Sequence, residues 1–312
     1  MLEIILLISP VFSLIALGTL AGRLGWLSDA AEKGIGEFAF TLAIPALLCK
    51  TIATADFAGL SVTGIWASFY AGAAVTWLAA TLLTQWPLGR PAADAPAIAI
   101  SSAFGNSVML GIPIAIMTYG QAATPTIALV LSIHAAVLWL TATLHARLVG
   151  GADPGEQGGG FALLARELGT NPIIIGILAG GAWRLTGLAM PKPVLDVLGL
   201  LAQAGVPAAL IALGLSLTRF KIAGQIPTLT VITALKLGLM PAVAFMMAFH
   251  VMALPPVPAG VVVILAAVPT GANAYIFAQR NGRAANSASG AVALGTLVSI
   301  ATISILLVMM RP

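Results

Sequence analysis

Three stretches of more than 30 residues in this chain carry no charged residue: 57–89, 95–146 and 237–279. A helix needs about 20 apolar residues to cross a bilayer, so the second and third stretches each hold two crossings. Only 8% of the chain is charged and 60% is hydrophobic, whereas soluble domains carry about 25% charged residues. In hydrocarbon each backbone polar group must pair within its own segment or a closed barrel. The chain therefore reads as an all-α polytopic membrane protein embedded in a lipid bilayer.

Ten spans are predicted, at 3–22, 34–53, 61–86, 94–118, 122–147, 168–187, 193–217, 226–252, 258–280 and 286–310. The start, Met1-Leu2-Glu3-Ile4, lacks a basic region and a small-residue cleavage site, and reads as the first span rather than a signal peptide. The glycine-rich stretch from Gly150 to Gly160 is the one soluble-looking segment. It divides the chain into a first five-helix unit at 1–148, a short cytoplasmic linker at 149–167 and a second unit at 168–312. Five is odd, so the second unit enters the membrane from the opposite side and any repeat between the units is inverted.

The units carry matching irregularities. Span 2 contains Pro45 and span 7 contains Pro207, and a proline inside a helix removes a backbone bond and kinks the chain. Span 4 is interrupted by Phe104-Gly105-Asn106-Ser107 and resumes through Val108 to Pro113. Span 9 is interrupted by Val268-Pro269-Thr270-Gly271-Ala272-Asn273. Asn106 follows Pro45 by 61 residues and Pro269 follows Pro207 by 62. Irregular backbone survives at membrane depth only where protein buries it or it lines a cavity. Paired broken helices in the two halves point to a secondary transporter with its site near the midplane.

Lys and Arg distribute unevenly between the two sets of loops. Arg23, Lys33, Arg90, Arg147, Arg166, Arg219, Lys221, Arg280 and Arg283 fall in one set, and Lys50, Arg184, Lys192 and Arg311 in the other. The richer set is expected in the cytoplasm, which places both termini outside.

The chemistry available at the breaks suits an anion. The half-helices beginning near Asn106 and Thr270 present free N–H groups and positive dipole ends. Asn106, Ser107, Thr270 and Asn273 add neutral hydrogen-bonding groups. Both asparagines also suit helix capping, which is compatible with substrate contact. All ten acidic residues fall at span ends or in loops, so proton antiport through an intramembrane carboxylate lacks its usual residue. Sodium coordinated by carbonyls, hydroxyls and amides stays open, as does proton coupling. Lys236 falls inside span 8, where a lysine costs about 2.5–3.5 kcal/mol on insertion scales. It serves either an anion or the carbonyls at a helix end. His134, mid-span, is a candidate substrate contact or a neutral core histidine. The single cysteine, Cys49, excludes an internal disulfide and a Cys-rich metal site; no cofactor or metal is expected. The net charge of +4 is dispersed and gives no footprint for nucleic acid. An intramembrane hydrolase would need a nucleophile and base in reach, and no Gly-x-Ser-x-Gly motif is present. A sensor role lacks a soluble output domain.

The segments Asn106-Ser107-Val108-Met109-Leu110-Gly111-Ile112-Pro113 and Ala266-Ala267-Val268-Pro269-Thr270-Gly271 resemble spans 4 and 9 of the auxin efflux carrier family, which includes the plant PIN-formed auxin exporters. Asn171-Pro172, Pro207 through Leu217, and Lys236 with Pro241 are similar to the family's spans 6, 7 and 8, so the resemblance covers nearly the whole chain. It implies two inverted five-helix repeats whose broken helices 4 and 9 cross, as in sodium/proton antiporters and bile-acid symporters. It also implies an elevator-type movement against a scaffold of spans 1, 2, 6 and 7, which often forms a homodimer. Carried over by motif, Asn106 contacts the substrate carboxylate beside Gly105, with Pro269 and Thr270 at the facing break, while Pro45, Pro113 and Pro207 shape the helices. Plant members carry a proline where this chain has Gly105, and their long regulatory loop shrinks here to about 20 residues after Arg147. Bacterial members imply malonate- or malate-like carboxylates as substrates and the plasma (inner) membrane as location. The expectation is a carrier for small organic anions, by efflux or potential-driven uniport, or alternatively a sodium- or proton-coupled symporter.

Overall fold

A computed structural model describes residues 2–54, 59–149, 169–218 and 226–310, with side chains from Ser9 onward in the first helix. The predicted linker lies outside the described residues apart from Val149. The described chain is helical: α1 (Leu2–Arg23), α2 (Asp29–Thr54), α3 (Val62–Gln85), α4 (Ala95–Ala103), α5 (Ile112–Tyr119), α6 (Thr124–Leu148), α7 (Pro172–Leu185), α8 (Lys192–Ser216), α9 (Ile226–Val251), α10 (Pro256–Ala267), α11 (Ala272–Arg280) and α12 (Ala285–Met309). Among the described residues, six helical stretches are long and apolar enough to cross a membrane: α2, α3, residues Ser107–Leu148, α8, α9 and α12. Their outward faces carry Leu78, Leu82, Leu200 and Ile305, exposed as lipid-facing side chains should be. The protein is an integral membrane protein.

Helix positions follow from local signals. Ser28, Ser61 and Asn171 cap α2, α3 and α7 by accepting bonds from the N–H groups of Ala31, Gly64 and Ile173. Span 2 begins earlier than predicted, at Asp29, because that cap sits at Ser28 and starts a polar first turn. Gly120, at φ 63°, separates α5 from α6.

Prolines inside the spans are absorbed by widened turns. Residues Ala39–Ala43, Ser107–Gly111 and Leu235–Leu239 each form a π-turn, closed by bonds from Ile44, Ile112 and Met240 to carbonyls five residues back. Pro45, Pro113 and Pro241 each follow such a turn. A proline cannot donate to the carbonyl four residues back, and the wide turn lets the chain pass that position without breaking. Pro207 lies inside α8 without such a turn.

Small residues set the closest approaches. Gly176 and Gly180 of α7 lie against the backbone of Pro45 and Cys49 in α2, where added β-carbons would come within 2.6 Å and 2.5 Å of their carbonyl oxygens. Gly214 of α8 packs on the Ile15 backbone of α1, and the Thr19 hydroxyl donates to the Gly214 carbonyl at 2.8 Å. Thus α1, α2, α7 and α8 pack together through small-residue contacts of the kind that drive helix association in lipid. The remaining helices pack around α4 and α10, whose side chains are almost all buried, and residues of these helices join those of α2, α3, α5 and α6 in the apolar core.

Candidate functional site

The two breaks meet. Gly105 and Thr270 form an isolated antiparallel bridge. The Asn106 amide donates to the Pro269 carbonyl at 2.7 Å, and the Gly271 amide donates to the Phe104 carbonyl at 2.9 Å. Extended backbone that neither helix can satisfy is thus paired across the gap, which answers its cost in hydrocarbon. Two glycines permit the approach. An added β-carbon at Gly271 would lie 3.0 Å from the Gly105 carbonyl oxygen, and one at Gly105 would lie 2.9 Å from Val268 Cγ2.

The four helix ends at this junction are treated differently. The carbonyl end of α4 receives the Thr270 hydroxyl, which donates to the Ser101 carbonyl at 2.8 Å. The carbonyl end of α10 receives Lys236, whose Nζ donates to the Ala266 carbonyl at 2.5 Å. Lys236 is fully buried, and its Nζ also lies 3.2 Å from Met240 Sδ. Its cationic donor is placed where the α10 dipole is negative. Asn106 caps the segment leading into α5, its Oδ1 accepting from the Met109 amide at 3.3 Å. Gly271 occupies the N-cap of α11 and supplies no capping side chain. The Ala274 amide turns back to the Gly271 carbonyl at 3.0 Å, and the positive end of α11 keeps the Ala272 and Asn273 amides for another acceptor.

The structure brings Gly105, Asn106, Pro269 and Thr270 into direct contact, with Lys236 against Gly105. Ser107 is buried beside them, and its hydroxyl makes no hydrogen bond among the described residues. His134 packs edge-on against Phe104, with ring centroids 4.6 Å apart, so it stands behind the break rather than across it. Neither of its ring nitrogens is hydrogen-bonded among the described residues. Asn273 is exposed in the first turn of α11. Among the described residues no cluster of His, Cys, Asp or Glu could hold a metal ion.

Sequence reasoning missed Asp94. Its carboxylate is buried at the start of α4, 2.8 Å from Arg90 Nη2 and 3.7 Å from Arg283 Nη1. Arg283 lies just beyond α11, so this ion cluster ties the far ends of the two broken spans together. Its sequence signal, an i,i+4 Arg–Asp pair at a span entry, was visible, but its burial was not.

This arrangement, two interrupted apolar helices meeting inside a membrane-embedded bundle, is that of a membrane carrier. The profile of the family described as "Membrane transport protein" matches residues 3–153 and 161–307. The chain belongs to that family, the auxin efflux carriers. It is 28% identical over 320 residues to the "Putative malonate transporter" of Rhizobium meliloti (strain 1021), an alignment that covers 100% of this chain and 97% of that protein.

Proposed function

We propose that this protein is a non-enzymatic carrier of small organic anions, with malonate- and malate-like carboxylates as its substrate class and auxin-like carboxylates as bulkier members of it. The observation that carries this reading is the junction of the breaks: Asn106 and the uncapped start of α11 present amide donors where no carboxylate competes. Such donors hold an anion without a fixed counter-ion in the first shell. The name of the Rhizobium relative agrees with that class.

In this reading the breaks belong to two inverted five-helix repeats, 1–148 and 168–312, whose fourth and ninth spans cross at the site. Helices α1, α2, α7 and α8 form the scaffold and a homodimer contact. The remaining helices move as a body to expose the site to either side. Both termini face outward from the plasma (inner) membrane. Asn106, Ser107, Thr270 and Asn273 contact substrate, and His134 and Lys236 support the junction from behind. An inside-negative potential drives a bare anion outward, at about 2.3 kcal/mol per charge per 100 mV, so uniport suffices for efflux.

The test is current from purified protein in proteoliposomes on addition of malonate, malate or indole-3-acetate, with and without sodium. A saturable sodium-independent current carrying negative charge is expected. Current that requires sodium or a proton gradient would replace uniport by symport on the same fold. Absence of transport with all three anions would overturn the substrate class.

A further inference from the structure

A cavity of about 540 Å³ lies between the end of α2, the α5–α6 connection and α8. That size falls within the range of about 300–1,000 Å³ typical of small-molecule sites. Among the described residues its wall carries one cation, Lys50, with the neutral polar groups of Thr51, Thr54, Gln121 and Gln203, and no acidic side chain. Lys50 makes no ion pair among the described residues. A lysine one turn from a helix end commonly reaches for the headgroups. Here the side chain instead crosses to α8, where an added β-carbon at Gly199 would lie 2.9 Å from Nζ. The glycine thus supplies the space in which the ammonium rests at the cavity wall. The Thr51 hydroxyl donates to the Leu47 carbonyl at 2.9 Å and lies 3.5 Å from Gln121 Oε1, which places the Gln121 carboxamide, with its NH₂ donor, at the same wall.

The cavity and the breaks share two walls. Ile116 of α5 lines the cavity, and the same segment begins at Asn106, about 15 Å away at 1.5 Å per residue. Val206 and Pro207 of α8 line the cavity, and α8 also packs against Ser107–Gly111.

We infer that this cavity is a binding subsite for small carboxylates, in which the Lys50 ammonium takes a carboxylate group and Gln121 and Gln203 hydrogen-bond it, ahead of transfer along α5 to the breaks. Its role in transport rests on the carrier reading above; its occupancy by a carboxylate does not. Apolar Leu47 and Val206 fit the methylene portion of the ligand. A single cation with amides on both sides favours a mono- or dicarboxylate over a zwitterion, whose ammonium would meet Lys50 at close range.

The experiment uses the full chain in two arms. In the first, Thr54→Cys is introduced with Cys49→Ala, and its modification by an anionic methanethiosulfonate is timed with and without malonate. Malonate should slow the reaction saturably. Lys50→Gln should slow modification by the anionic reagent about fivefold, the effect of one charge near 4 Å in a water-like dielectric, and should leave a neutral methanethiosulfonate unaffected. In the second arm, malonate transport by Lys50→Gln should show KM raised about tenfold, the loss expected for a hydrogen bond to a charged group, with kcat retained. Lys50→Arg should restore KM, and Gly199→Ala, which displaces the ammonium without removing its charge, should give an intermediate value. Modification indifferent to malonate and to Lys50→Gln overturns the subsite, whatever is transported. Protection by malonate in a protein that transports no carboxylate upholds the subsite and rejects the carrier reading. An unchanged KM in Lys50→Gln rejects the subsite's part in transport while leaving that reading intact.

Discussion

The Lys236 ammonium occupies the space that a side chain at Gly105 would need: an added β-carbon there would lie 3.2 Å from both Cε and Nζ. The break in span 4 is thus fitted to the lysine of α9, although 131 positions separate them in sequence. Gly105→Val should force Lys236 and Val268 aside together. Overpacking of this kind costs about 1–3 kcal/mol, so thermal stability in detergent should drop clearly, with Gly105→Ala milder. A Gly105→Val protein with wild-type melting behaviour would show that the junction is looser than these distances require.

Lys236 itself tests whether the charge serves the fold. Lys236→Ala removes the donor from the Ala266 carbonyl and opens a void in a fully buried place. An unsatisfied buried carbonyl alone costs about 1–3 kcal/mol, and the void adds to it. Lys236→Met refills the volume without the donor and should recover part of the loss. The comparison is read by melting temperature alongside malonate affinity. A selective loss of affinity with stability intact would move Lys236 from support of the helix end to direct anion binding.

Asn106 holds two roles that substitution can separate. Its Oδ1 caps the helix through the Met109 amide, worth about 1 kcal/mol, while its NH₂ group is left to donate to a substrate. Asn106→Ser keeps a capping oxygen and removes the amide donor. It should fold as the parent does and lose transport at least tenfold, the scale of one hydrogen bond to a charged group. Asn106→Ala should lose both. Transport unaltered in Asn106→Ser would remove the side chain from the site.

The positions of the helices were legible because the apolar stretches are long and their ends are marked by charges, prolines and capping residues. The breaks were legible for the same reason, since Gly105-Asn106 and Pro269-Thr270-Gly271 are the wrong residues for an uninterrupted apolar helix. What could not be read was partnership across distance. Nothing local says that Thr270 donates to Ser101, or that Lys236 reaches Ala266. The π-turns ahead of Pro45, Pro113 and Pro241 escaped notice because a proline announces a lost bond but not how the chain absorbs it. Asn273 was grouped with Asn106 from its place in the motif. In the structure it is exposed in the first turn of α11, whereas Asn106 is buried.

Asp94 shows the same limit and gives a sharp test. It lies at a span entry, where an acidic residue ordinarily faces water, yet its side chain is only 8% exposed between Arg90 and Arg283. Removing one member of a buried ion cluster costs about 3–5 kcal/mol, because the remaining charges lose their compensation. Asp94→Asn should therefore lower thermal stability strongly. Arg283→Gln should do less, since that arginine is half exposed and its closest contact is longer. Equal, small effects from both would mean that water already screens the cluster.

The packing of α7 on α2 offers a test with its control built in. Gly176 sits on the Pro45 backbone, 2.8 Å from Cα for an added β-carbon, and backbone at a proline kink cannot swing away as a side-chain tip can. Gly181, on the same helix, has nothing within 4 Å of an added β-carbon. Gly176→Leu should push the two helices apart and sacrifice the dispersion contacts between them, which in lipid are not replaced by a hydrophobic drive. Gly181→Leu adds a side chain to an open face and should be tolerated. The measurement is the melting temperature of each variant in detergent, followed by malonate transport after reconstitution. A large drop for Gly176→Leu beside a neutral Gly181→Leu locates the seam that holds α7 against the Pro45 kink. Comparable tolerance at both positions would mean that α7 is not held by that close approach.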